Sequence, residues 1–376
     1  MTRRAALLAF AAAAFGCAGA TVSAPPPAGK VRAPYEAPPA GRHSIEIRID
    51  TGAARSLLAF LSRPQFRIDE AKALEELPAV RLTLQDSGRT ADVFERDLAA
   101  AFEEETRSAV FDFHSIRVAR TRWEGLLTAL PPRETDLSRM AAERAAALLP
   151  TDPPVTARLQ VYLSFGLAGL ADHLVVLLPN GSEAMIVDLA RALGESGNGS
   201  VDNQVERLAR LIAGETFRQS WRSYRSTSPA WRQRDVSLGQ LEPLFRVVSE
   251  HGPVSIFSVD ANFFPLSVWL KEPMKRTVAE FNRTAERLVE SEKDLEQRVT
   301  LSAEIGRPDF TQRVAGPVGA FFSDGIIQSL GLDAFRRALG AGPKAFFVAY
   351  DQAQQKSRDL IPLSPVVRDR LAGKQP

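Results

Sequence analysis

Three short β-rich segments, at 155–164, 174–178 and 184–189, interrupt a chain that otherwise places its apolar residues at helical spacing. Pro179-Asn180-Gly181 between the second and third predicts a tight turn, so the three predict a small sheet. Upstream, residues 44–50 alternate Ile45, Ile47 and Ile49 with polar neighbours, the pattern of a half-buried strand. Helical patterns cover 51–62, 68–76, 91–106 and 135–149, the last closing before Pro153-Pro154, while 109–113 fits either state. Further helical patterns lie at 203–225, 237–249, 252–259, 264–271, 274–299, 316–330, 333–339 and 343–354, and there is no internal repeat. The fold class is α+β and mostly helical.

Two of these helices carry more than periodicity. In 203–225, Asn203 and Glu206 are spaced as a capping pair, and Val205, Leu208, Leu211/Ile212 and Gln219 trace one face. Glu215 falls on that stripe, where a carboxylate needs a partner or a chemical role. In 274–299 the inner stripe is Val278, Phe281, Ala285, Leu288, Leu295 and Val299, beneath a charged outer face.

The first 42 residues are not expected to join this core. Arg3-Arg4, an apolar stretch from Ala5 to Phe15 and then Gly16-Cys17 have the form of a secretory signal peptide. The one cysteine of the chain, Cys17, stands where a bacterial lipoprotein signal places its lipid attachment residue, although Phe15 replaces a small residue. The alternative is ordinary cleavage near Ala18-Gly19-Ala20. Cleavage before Cys17 removes two of the 47 basic residues and no acid, leaving 45 against 45, so the small positive charge belongs to export. Residues 17–42 hold six prolines between 25 and 39 and suit a semi-rigid polyproline tether. The expected organisation is a signal peptide at 1–16, a lipid-anchored linker at 17–42 and a body at 43–372. That body divides into a helical part, 43–150, and a second part, 151–372. The expected location is the cell envelope, at the outer membrane or periplasm in a Gram-negative source, with the membrane as a partner through the lipid.

Composition removes other classes. One cysteine excludes a disulfide framework and thiolate zinc clusters. No apolar run reaches the roughly 18–20 residues of a membrane span, and balanced charge argues against a nucleic-acid partner. There is no G-x-S-x-G elbow, Walker loop or G-x-G-x-x-G, and Gly197-Asn-Gly199 reads as a connection between strand and helix.

The order of four pieces resembles a gluzincin-type zinc peptidase, specifically a bacterial family of zinc-peptidase-like proteins. They are AMIVDLARAL (184–193), LIAGETFRQSWRSY (211–224), VVSEHGPVSIF (247–257), and GPVGAFFSDGIIQSLGLDAFRRAL (316–339) with PKAFFVAY (343–350). The resemblance covers roughly 44–355. It implies a thermolysin-like architecture, with a small sheet packed on an active-site helix, and zinc as the family's cofactor. It also implies a His-Glu-x-x-His helix whose two imidazoles hold zinc while the Glu polarises bound water.

This chain departs from that pattern at the metal. The first ligand position is Gly214 and the second is Arg218; only the general-base position, Glu215, is retained. The third ligand position falls at Glu250 or His251. His43, His114 and His173 are isolated and cannot replace the pair. The expectation is a site with no metal and no cofactor, in which Arg218 pairs with Glu215 and, if Glu250 also turns inward, lies between two carboxylates. An exposed Glu–Arg pair is the plainer alternative. Ser220, Tyr224 and Tyr350 are candidates to line a cleft, and Trp221, Trp231 and Trp269 are packing residues. Three functions follow, in this order: a non-catalytic peptidase-like lipoprotein keeping its cleft for a peptide or protein; an unrelated helical envelope scaffold; and an active hydrolase, with either a metal relocated to Glu215, Glu250 and His251 or metal-free acid–base chemistry.

Overall fold

The computed structural model describes residues 43–103, 110–167, 171–194, 200–259 and 268–374. Cys17, the expected signal peptide and Pro-rich linker, the Gly197-Asn-Gly199 connection and the Trp269 side chain lie outside the described residues.

The fold is α+β and mostly helical. Four strands, β1 (Ser44–Asp50), β2 (Thr156–Ser164), β3 (His173–Leu177) and β4 (Glu183–Asp188), form one sheet in the order β1-β2-β4-β3. β3 and β4 are antiparallel, with Val175 opposite Met185. In chain order the helices are α1 (Gly52–Leu61), α2 (Ile68–Glu75), α3 (Pro78–Ser87), α4 (Ala91–Ala100), α5 (Phe113–Val118) and α6 (Arg120–Ala129). Next come α7 (Glu134–Leu148), the short α8 (Leu189–Leu193), the long α9 (Val201–Thr227), α10 (Pro229–Arg232), α11 (Glu242–Val259) and α12 (Val268–Glu290). The chain ends with α13 (Leu295–Ile305), α14 (Pro308–Phe310), α15 (Gly316–Leu330), α16 (Leu332–Gly340), α17 (Pro343–Lys356) and α18 (Pro365–Leu371).

The described residues divide into two compact units. The first draws on Ile49–Pro131 and Val161–Ser196, the second on Pro132–Gln160 and Gly197–Pro376 together with Pro39–Arg48. In the first, Phe94, Phe111 and Phe113 pack with ring centroids 5.4 to 5.5 Å apart. The Asp97 carboxylate accepts the Phe111 N–H there at 3.2 Å. Ala53, Ala79, Val176, Ala184 and Ile186 form a second apolar cluster in the same unit.

The core of the second unit is larger and lies among α9, α11, α12, α15 and α17. Phe347 stacks on Phe245 at 3.8 Å, and Phe322 stacks on Tyr350 at the same distance. α11 and α15 cross where Gly252 meets Gly319. A Cβ on either residue would fall within 3.0 Å of the other helix's backbone. These glycines therefore allow contact between two backbones, a role that needs no chemistry from the Gly-rich 316–325 segment.

Several sequence expectations need correction. The cap of α9 is Ser200, whose Oγ accepts the Asn203 N–H at 3.3 Å, so Asn203 lies inside the first turn. Glu206 instead accepts from Arg144 of α7 at 2.6 Å. Separate helices at 237–249 and 252–259 are replaced by a 3-10 turn at 236–241 and one helix running through Pro253. The crossing with α15 outweighs the proline's local tendency to break the helix. The continuous 274–299 helix is in fact interrupted at Ser291–Lys293, and Asp294 caps a new helix by accepting the Gln297 N–H at 3.0 Å. Val278, Phe281, Ala285 and Leu288 are buried as a stripe, but the break turns Leu295 and Val299 outward, to 63% and 60% exposed. The sequence reading also passed over α3, α5, α6 and α18.

Candidate functional site

α9 is amphipathic, with Val205, Leu208, Ile212, Phe217 and Trp221 buried along its length. Glu215 lies among them, its side chain only 4% exposed. Arg218, one turn on, covers it. The Arg218 Nε donates to Glu215 Oε1 at 2.9 Å and Oε2 at 2.7 Å, and Nη2 also reaches Oε1. The Arg218 side chain is 33% exposed, so the pair is half-sunk rather than a free surface contact. Spacing of three residues on a helix brings the two groups together, and burial on one side then holds them.

The other expected contact does not form. Glu250 of α11 pairs with Arg225, two helical turns beyond Arg218 on the same side of α9. Arg225 is held from three directions. Its guanidinium carbon lies 5.8 Å from the Trp221 ring centroid and 6.0 Å from that of Trp231, while Glu250 takes its N–H. The Glu250 carbonyl also accepts the Trp221 indole N–H at 3.0 Å. Glu250 is thus not a second carboxylate for Arg218; the aromatic-flanked Arg225 has taken it. Arg225 lies seven residues beyond Arg218, two turns on along the same helix face, and that spacing was the available sequence signal.

Gly214 is closed by a neighbour. A Cβ there would lie 2.9 Å from the Phe257 Cβ and 3.4 Å from its Cγ. Phe257 also stacks on Phe217 with centroids 5.2 Å apart. The space in which an imidazole would project is thus filled by the α11 phenylalanine. His251 is half-buried, and burial lowers its pKa first, with Glu250 opposing and Arg225 adding to the effect. Its ring is therefore neutral near neutral pH.

The residues expected to line a cleft are core residues. Ser220, Tyr224 and Tyr350 are buried. The Tyr224 hydroxyl donates to the Asp152 carbonyl at 2.9 Å, and that of Tyr350 donates to the Ile361 carbonyl at 2.8 Å. Burial raises the pKa of both phenols, which therefore stay protonated hydrogen-bond donors. Trp221 and Trp231 pack against each other edge to face at 4.8 Å, and Trp231 donates its indole N–H to the Leu339 carbonyl at 2.8 Å. The isolated histidines have local tasks. His43 Nδ1 accepts the Val155 N–H at 3.1 Å, and burial lowers its pKa. His173 pairs with Asp172 at 2.7 Å.

The donor set does not fit zinc. Of the ligand positions that the resemblance implies, the first has no side chain, the second is a permanent cation bound to Glu215, and Glu250 is paired with Arg225. Among the described residues, no group of three or more His, Cys, Asp or Glu side chains is placed to hold a metal ion. Glu215, Glu250 and His251 are not gathered as such a group. Among the same residues no helix is long and apolar enough to cross a membrane.

Comparison with protein-family models, curated proteins and solved structures finds no match to this chain.

Proposed function

We propose that the chain is an exported, lipid-anchored envelope protein, thermolysin-like in architecture, in which the zinc helix of a gluzincin-type peptidase has become a structural element. Its work is binding a peptide or protein partner, not turnover. The observation that carries this reading is the bidentate engagement of Glu215 by Arg218 at the general-base position. A carboxylate whose oxygens accept from a guanidinium has those lone pairs occupied and cannot at the same time take a proton from a metal-bound water. Phe257 against Gly214 supports the same reading.

The test has two arms. The purified chain should contain less than stoichiometric zinc by elemental analysis and cleave no peptide in a random-sequence substrate library. The triple variant G214H/R218H/F257A restores both imidazoles and the room they require, and should bind zinc. A folded triple variant that binds none would sink the peptidase ancestry, and stoichiometric zinc in the unmodified chain would sink the non-catalytic reading. For the anchor, C17S should abolish incorporation of labelled palmitate and release the protein from the membrane fraction.

A second reading, an envelope scaffold, is favoured by one observation. Ser220, Tyr224 and Tyr350 are buried and so offer no open cleft. Crosslinking in intact cells separates the two, since a scaffold yields stable large assemblies and a peptide binder does not.

A further inference from the structure

A strand at the end of a sheet presents unpaired backbone groups, and folded proteins guard such edges with charge, proline or a bulge. The two end strands of this sheet, β1 and β3, differ in that respect. β1 carries Glu46 and Arg48, with side chains 41% and 74% exposed, and Arg158 of β2 adds a third charge by reaching Glu46 at 3.2 Å. β3 reads His-Leu-Val-Val-Leu, with no Lys, Arg, Asp, Glu or Pro. Its pairing with β4 runs without a bulge from His173 opposite Val187 to Leu177 opposite Glu183. Leu177 is 72% exposed.

The ladder fixes which backbone groups of β3 face outward. The Asp188 N–H donates to the Asp172 carbonyl at 2.9 Å, and the Leu178 N–H donates to the Ser182 carbonyl at 2.8 Å. Hydrogen-bonded and non-hydrogen-bonded pairs alternate along an antiparallel ladder. Leu174 and Val176, in step with Asp172 and Leu178, therefore turn their N–H and C=O groups to β4. His173, Val175 and Leu177 turn theirs the other way, and among the described residues nothing hydrogen-bonds to those backbone groups. One face of the strand is complete, since Val176 packs with Ala79, Ala184 and Ile186. The edge and the Leu177 side chain are left open.

We infer that β3 pairs antiparallel with β3 of a second copy of this chain, about a two-fold axis at Val175. In that register Val175 lies opposite the partner's Val175, and Leu177 lies opposite the partner's His173. Each is a hydrogen-bonded pair that exchanges two N–H···O bonds, so the outward groups of all three residues find partners. Two features favour a second copy over an unrelated strand. The outward residues are spaced evenly about Val175 and carry no carboxylate, ammonium or guanidinium, so the strand complements itself and sets no such like charges opposite one another. The contact also closes after two copies, because the charges on β1 guard the other end of the sheet. The inference stands apart from the zinc-helix reading, because none of its residues belongs to α9 or α11.

The test uses the full-length chain carrying C17S, which removes its one native thiol. Analytical ultracentrifugation should show a monomer–dimer equilibrium at concentrations up to about 100 µM. V175P removes an outward N–H and spares the ladder to β4, while L177K puts a charge on the open edge. Each should weaken the dimer by at least about tenfold. V175C added to C17S should form an intermolecular disulfide on mild oxidation, because a hydrogen-bonded pair holds its Cα atoms about 5.5 Å apart. L177C should not, since it would lie roughly 14 Å along the strands from its own copy. A chain that stays monomeric, a dimer that either folded variant fails to weaken, or equal crosslinking of the two cysteines overturns the inference. In a monomer, protection of the Val175 amide from hydrogen exchange would assign the edge to another segment of the chain, and free exchange would leave it to a different protein. Should V175P fail to fold, L177K, at a position 72% exposed, and the crosslinking pattern decide the matter.

Discussion

Two regions of this protein hold arginine beside tryptophan, and they differ in what satisfies the charge. On α9 and α11, Arg225 lies near Trp221 and Trp231 and is neutralised by Glu250, while Arg218 is bound by Glu215. On α6, Arg122 lies over Trp123 with a carbonyl on one nitrogen and a buried Nε left over. The same two side-chain types thus pair with a carboxylate in one place and with a carbonyl alone in the other, and each leaves a buried Nε donor without an acceptor. An arginine that neutralises a buried carboxylate leaves that charge stranded when it is removed, whereas one held by a carbonyl alone leaves only a neutral acceptor.

The largest effect should come from the glycine crossing beneath the closed region. Gly319→Leu forces a side chain into the α11 backbone and should lower stability by more than about 3 kcal/mol, read as a fall in the urea midpoint. Gly125→Ala on α6 meets nothing within 4 Å, so it should instead be neutral or stabilise by up to about 1 kcal/mol. Equal effects from the two would break the contrast.

Next come the arginines. R225Q strands Glu250 in a mostly buried position and should cost about 1–3 kcal/mol in thermal or urea unfolding. E215Q should cost less, about 1–2 kcal/mol, because Arg218 can turn its exposed third toward water. R122Q should cost about 1 kcal/mol, the net value of one hydrogen bond to Gly194. If R122Q destabilised as much as R225Q, the carboxylate partner would not be what separates the two arginines.

The smallest effects are those of pH, and they run in opposite directions in the two units. His251 in the second unit has its pKa lowered by burial. Its unfolded form therefore binds more protons, and stability falls as pH drops through the ordinary histidine value of about 6.5. H251N should flatten that acid limb. Glu75 in the first unit has its pKa raised to about 7, by burial first and then by its hydrogen bond to Glu95. Its folded form binds more protons, so it opposes folding increasingly as pH rises from about 4.5 towards 7. E75Q should therefore raise stability at pH 8 and leave it nearly unchanged at pH 4. Matching pH slopes for the two variants would remove the distinction.

Much of the framework was legible because it follows from local rules. The four strands, α7, α9 and the last three long helices were placed within one or two residues, since their apolar periods run long enough to read. Glu215 was recognisable as a buried carboxylate with Arg218 in reach for the same reason. The breaks were harder to see. Asp294 is an ordinary cap residue, yet the apolar spacing continues past it, and only the observed turn at Ser291–Lys293 sends Leu295 and Val299 outward.

What the sequence determined alone was periodicity, charge balance and the absence of a histidine pair, because each depends only on residue identity and short spacing. Tertiary structure decided which partner each charge took. Glu250 and Arg218 were compatible in sequence, but the approach of α11 to α9 gave Glu250 to Arg225 and placed Phe257 over Gly214. Spacing along one helix can bring Glu215 to Arg218. Only the packing of one chain segment on another could bury the Arg122 and Trp123 donors without an acceptor.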